Sequence, residues 1–212
     1  MKKIQLTMTA VMVLLALQPG FSQTIVGSKH DFSGKTWNTS VGSQICIVCH
    51  TPHNAVTIAE APLWNHGLTA SIFALYTSTI STTFNATPGQ PDGTSKLCLS
   101  CHDGTVAVDN YGGRTTGTFF VSGKDSLGIN LSNDHPVSFT YDAALVTADG
   151  GGLRATTFAS GIGGGTIAEK MLFGGKMQCA SCHDVHNTSS VPVGLLVKSN
   201  AASALCLTCH IK

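Results

Sequence analysis

The feature that most constrains this chain of 212 residues is the placement of its eight cysteines. They fall into four pairs with two residues inside each, and a histidine directly follows every pair. The groups are Cys46, Cys49 and His50; Cys98, Cys101 and His102; Cys179, Cys182 and His183; and Cys206, Cys209 and His210. No cysteine is left over. Two thiols on one helical turn, with an imidazole next in sequence, form the attachment signature of c-type haem. The thiols reach the two vinyl groups on one porphyrin edge and form thioethers, and the histidine beneath the ring binds iron as the proximal ligand. Paired C-x-x-C also builds zinc ribbons, but zinc requires no histidine after the second cysteine of each pair. A thioredoxin-like site needs one motif beside a βαβ pattern, which is absent. A plain disulfide framework does not explain the repeated spacing. The sequence therefore predicts four haems c per chain.

Composition agrees with a core supplied by a prosthetic group. Charged residues make up 11% and aromatics 7% of the chain, while glycine is frequent at 23 residues. A porphyrin is a large apolar disc, and covalent attachment replaces many of the contacts that order a small domain. The expected fold class is a multihaem cytochrome c: mostly irregular loops, short helices at the haem motifs, little sheet, and haems forming the core. Gly150–Gly152 and Gly161–Gly165 read as loops, since they lack the strand, helix and lysine of a phosphate site. A net charge of +1 gives no basic field for nucleic acid. Trp37 and Trp64 are expected to pack on porphyrin faces. The Asn-x-Ser/Thr sequences at Asn38, Asn85, Asn130 and Asn187 are given no role.

Residues 1–22 read as a secretory signal. Lys2 and Lys3 precede an apolar stretch from about Thr9 to Leu17, and Gly20 and Ser22 suit a cleavage site. The apolar run is shorter than the roughly 20 residues of a membrane span. Residues 23–212 are then one tetrahaem domain, exported through the periplasm.

An internal repeat divides that domain into halves of about 23–115 and 116–212. Motifs one and three both read C-x-x-C-H-x-x-H-N, through His53–Asn54 and His186–Asn187. Motifs two and four, Leu97–His102 and Leu205–His210, are nearly identical. Five histidines lie outside the motifs. His53 and His186 match each other, and His30 and His135 each stand upstream of the first motif of their half. Only His66 has no counterpart, and surface exposure is its expected fate. Four irons and four matched histidines predict bis-histidine ligation, with His30, His53, His135 and His186 distal. His53 and His186 follow their proximal histidines by three residues, about 4.5 Å of helical rise. That is too short to pass around the porphyrin, so each must bind a neighbouring haem. Of the mature chain's methionines, Met171 and Met177, none is needed as a ligand. Six-coordinate, low-potential irons with no open position predict an electron-transfer protein and no enzyme.

The segments Gly27–Ser33 (GSKHDFS), Cys49–Asn54 (CHTPHN), Ala61–Asn65 (APLWN), Asp134–Phe139 (DHPVSF) and Cys182–Asn187 (CHDVHN) resemble bacterial multihaem cytochromes with doubled haem motifs. With four haems in this length, the chain is similar to OmcE-like outer-surface tetrahaem cytochromes of the multihaem cytochrome nanowire family. The resemblance spans nearly the whole mature chain. It implies a secreted or outer-surface location and electron transfer to extracellular acceptors such as metal oxides. Redox partner cytochromes and a head-to-tail homopolymer with itself are also implied, with His53 ligating the last haem, that of Cys206, Cys209 and His210, of a neighbour. A contact of that kind does not close and generates a filament. The competing functions are a monomeric periplasmic electron shuttle and, from another class, a multihaem reductase. The mature protein is expected to be red and heavier than its polypeptide by four haem masses, and intact-mass spectrometry of native material checks this.

Overall fold

The computed structural model describes residues 25–40, 42–58, 61–186, 191 and 194–211. The signal expected over residues 1–22, and Asn187, lie outside them. Among the described residues no helix is long and apolar enough to cross a membrane.

Regular elements are few and short. The first half holds an antiparallel pair, β1 (Val56–Ile58) and β2 (Ala61–Trp64), followed by the ten-residue helix α1 (Gly93–His102). The second half holds β3 (Phe139–Thr140), α2 (Ala143–Ala148), α3 (Ile167–Lys170), β4 (Leu172–Phe173), β5 (Lys176–Met177) and the helix α4 (Cys206–Cys209). Its 3-10 turns are Gly123–Asp125, Cys179–Ser181 and Ala201–Ser203. The second sheet has the order β3-β5-β4, with Met177 paired to Phe139 on one side and to Leu172 on the other.

The short helices depend on side-chain caps, since few residues share the cost of their ends. Asp142 accepts from the Leu145 N–H at the start of α2, and Thr166 and Glu169 form a reciprocal capping box on α3. Asp92 stands at the same position before α1, yet its carboxylate makes no cap. It is turned instead toward Lys176 and the Gln178 amide.

Apolar packing is uneven. Phe139, Tyr141, Leu145, Ile167, Met171, Met177, Leu205 and Cys209 form one buried cluster in the second half, while Phe73 and Leu99 of the first half form a smaller one with Leu131 of the second. Between the halves, Leu131 packs on Phe73 and Leu99, Phe84 stands edge-on to Phe139, and a polar network joins motif two to motif three. Gln178 is 2% exposed. Its Oε1 accepts from the Ser95 N–H at 3.3 Å and the Ser138 hydroxyl at 3.0 Å, and its Nε2 donates to Asp92 at 2.8 Å. The Cys179 N–H donates to the Ser95 hydroxyl at 2.9 Å. These bonds join α1 to the turn at Cys179–Ser181, so motif two is fixed against motif three.

One loop is set by a buried carboxylate. Asp109, fully buried, accepts from the N–H groups of Thr118 and Phe119 at 3.0 Å and lies 3.4 Å from the Arg114 guanidinium. Gly117 is required there, because a Cβ would stand 2.5 Å from Asp109 Oδ1 and 2.6 Å from Asn110 Oδ1. Asn38 is also buried, donating to the Phe32 and Gln44 carbonyls, so its glycosylation sequence faces inward.

Gln178→Leu leaves the Ser95 N–H and Ser138 hydroxyl without their buried partner. The variant should lose about 2–3 kcal/mol of stability, read from denaturant unfolding of the purified protein.

Candidate haem-binding site

Each motif folds as one helical turn. The histidine N–H donates to the carbonyl of the first cysteine at 2.8 Å in His50–Cys46, 3.1 Å in His183–Cys179 and 2.9 Å in His210–Cys206. In motif two the same register lies within α1, which ends on His102. This i to i−4 closure brings the two thiols to one side with the imidazole a turn further on.

The turns of motifs one and three continue identically. After His50, the Thr51 N–H donates to the Leu63 carbonyl and the Asn65 N–H to the Cys49 carbonyl. After His183, Asp184 donates to Leu195, and Val197 to Cys182. Leu63 and Leu195 both adopt a left-handed backbone, at φ 57° and 48°. That conformation is costly for a branched side chain, and its recurrence marks the two segments as equivalents.

Histidines face one another across three of the motifs. Ring centres are 6.0 Å apart for His30 and His102, 6.2 Å for His50 and His186, and 6.4 Å for His135 and His210. A metal–imidazole bond is about 2.0–2.1 Å. Two such bonds on opposite faces of an iron, with each ring centre about 1.1 Å beyond its nitrogen, give a separation of about 6.3 Å. Nδ1 is engaged by a backbone carbonyl in His102 (Asp125, 2.7 Å), His183 (Gly194, 2.6 Å) and His135 (Pro136, 2.9 Å). Such a bond fixes the tautomer and leaves Nε2 for a metal. The residues present therefore suit covalently held iron porphyrin. His53 and His183 are exposed, and neither has a ring contact among the described residues.

Burial, followed by the His102 and His183 imidazoles, pulls His30 down to about 4. Its Nδ1 is buried without a partner. Cys98 and Cys179 act on each other, Cys98 upward and Cys179 downward, and burial pushes Cys101 up to about 12 and Cys182 up to about 11. Motif two lies against motif three, where the Cys179 N–H donates to the Ser95 hydroxyl, and Cys182 packs on the cluster that holds Cys209.

His66 is not where exposure was expected. It is 1% exposed, because the β2 segment carries it under the loop after α1. Its Nδ1 lies 2.7 Å from the Gly67 carbonyl and its Nε2 2.9 Å from that of Ala107. Both ring nitrogens are occupied by protein oxygen. Trp64 stands edge-on to His50, with ring centres 6.3 Å apart.

A family model described as the doubled CXXCH motif matches residues 173–212, which carry motifs three and four with their turn and helix. No curated protein matches the chain. Motif and geometry together define a c-type cytochrome-like protein that binds haem covalently through its C-x-x-C-H sequences.

His66→Gln should leave the low-spin spectrum of the purified cytochrome unchanged, since no iron loses a ligand. It should cost about 1–3 kcal/mol through unpaired buried carbonyls, measured by denaturant unfolding beside the absorption spectrum.

Proposed function

We propose that the chain is an electron conduit of four bis-histidine haems c, working outside the cell as a subunit of a head-to-tail polymer. The observation that carries this reading is the set of three facing histidine pairs, beside the contact that sets motif two against motif three. Bound haem supplies an iron that accepts and releases one electron. The polypeptide holds the rings close, closes both faces of each iron to other ligands, and tunes potential through axial ligands and burial.

In this reading His186 serves the first haem, His30 the second and His135 the fourth. The third, on Cys179, Cys182 and His183, takes His53 from the next copy of the chain. The recipient differs from the last haem that the family resemblance implies, because His210 already faces His135. The repeat supports the change: His186, three residues past one proximal histidine, faces the proximal histidine of the other half. His53 holds the same place after His50, and both it and His183 are exposed. One donor and one acceptor at different points of the surface make an interface that propagates without closing. Polymers of this kind would take electrons from partner cytochromes and deliver them to external acceptors such as metal oxides. A diffusing periplasmic shuttle has the same haems and no such interface.

His53→Ala should keep four haems by mass, turn one of the four high-spin in electron paramagnetic resonance, and reduce the native assembly to single chains by light scattering. A wild-type protein that is monomeric with all four irons low-spin would sink the crossing ligand and leave the shuttle.

A further inference from the structure

The two equivalent segments after motifs one and three reveal a partner for His66 that is not a histidine. Aligned on their hydrogen bonds to Cys49 and Cys182, Leu63 corresponds to Leu195 and Trp64 to Leu196. His66, two residues after Trp64, therefore corresponds to Lys198. Both side chains turn away from the odd motif of their own half and onto the back of the even one. His66 Nε2 lies 3.5 Å from Cys101 Sγ, the second thiol of motif two. The Lys198 ammonium donates to the Thr208 hydroxyl at 3.0 Å, between the two thiols of motif four, and to the Ser160 carbonyl at 2.9 Å. Ser160 is fully buried and Thr208 nearly so, which keeps the ammonium anchored on the turn that carries both thiols.

We infer that Lys198 and His66 are equivalent residues of the two halves, each presenting a basic side chain to the second thioether of an even haem, and that the Lys198 ammonium raises the reduction potential of the fourth haem. This rests on the four-haem reading above. Reduction of ferric to ferrous iron removes one positive charge from the haem, so a fixed cation nearby favours the reduced state. The effect is larger for a charge held against a low-dielectric ring than for one in solvent. Lys198 acts on the iron through the porphyrin edge and the motif turn, as a positioning and tuning residue that touches no axial ligand. The two even haems, whose motifs are nearly identical in sequence, thereby become distinct sites along the conduit.

The test is a potentiometric titration of purified holoprotein, followed by visible absorption, on wild type and on Lys198→Met, Lys198→Gln and Lys198→Arg. Haem count by mass and the low-spin signal are checked in each. With Met or Gln, about one quarter of the titration should move so that the ferric-to-ferrous ratio at fixed potential rises three- to tenfold, a fall of about 30–60 mV for a one-electron couple. Arg should restore the wild-type curve. Gln supplies the second neutral variant if Met fails to fold. Unshifted curves for the neutral variants overturn the inference, as does a Gln curve that matches wild type, which would leave Lys198 a hydrogen-bonding strut. Wild-type protein lacking four haems overturns the functional reading, a result separate from any shift.

Discussion

The structure depends on one backbone hydrogen bond repeated in each motif, from the histidine N–H to the carbonyl of the first cysteine. That bond makes five residues a single turn, and only within such a turn do two thiols and an imidazole address one edge and one face of the same ring. The remaining chain needs little regular structure of its own. Strands of two to four residues and helices of four to ten would be marginal in isolation. They are kept by caps and by the sheet at Met177, and they serve to bring the turns into register with one another.

Register between motifs two and three is set by a polar, largely buried network. Ser95, Ser138, Gln178 and Asp92 exchange hydrogen bonds that set α1 against the turn at Cys179–Ser181. Apolar side chains would pack there with less directional preference. A satisfied polar network accepts few alternative geometries, because any shift strands a buried donor or acceptor. In a protein whose use depends on spacing between attachment sites, that selectivity is more valuable than the modest net energy of each bond. The diversion of Asp92 from capping α1 to this network shows the same preference locally.

Much of the site is legible before any folding. The cysteine spacing, the proximal histidines and the pairing of motifs into two halves follow from reading the chain, and the histidine positions narrow the distal set to His30, His53, His135, His186 and His66. The facing of particular rings was not legible, because His30 and His102 are 72 residues apart and nothing in either neighbourhood names the other. The inter-half network was also hidden, since Ser and Gln carry no periodic signal. The Lys198 equivalence is hidden for a smaller reason. Leu63 lies 13 residues after His50 and Leu195 only 12 after His183, so an ungapped repeat comparison pairs the wrong residues, and the shared leucine was the available clue.

What this chain's sequence settles alone is chemistry: eight thiols and their following imidazoles can attach c-type haem wherever the motif forms a turn, because attachment is local to five residues. Tertiary structure alone decides which imidazole faces which, that both His66 nitrogens go to backbone carbonyls, and that motif two lies against motif three. Those outcomes depend on the meeting of segments far apart in sequence, where buried hydrogen bonds and excluded volume select one arrangement and local pattern carries no record of it.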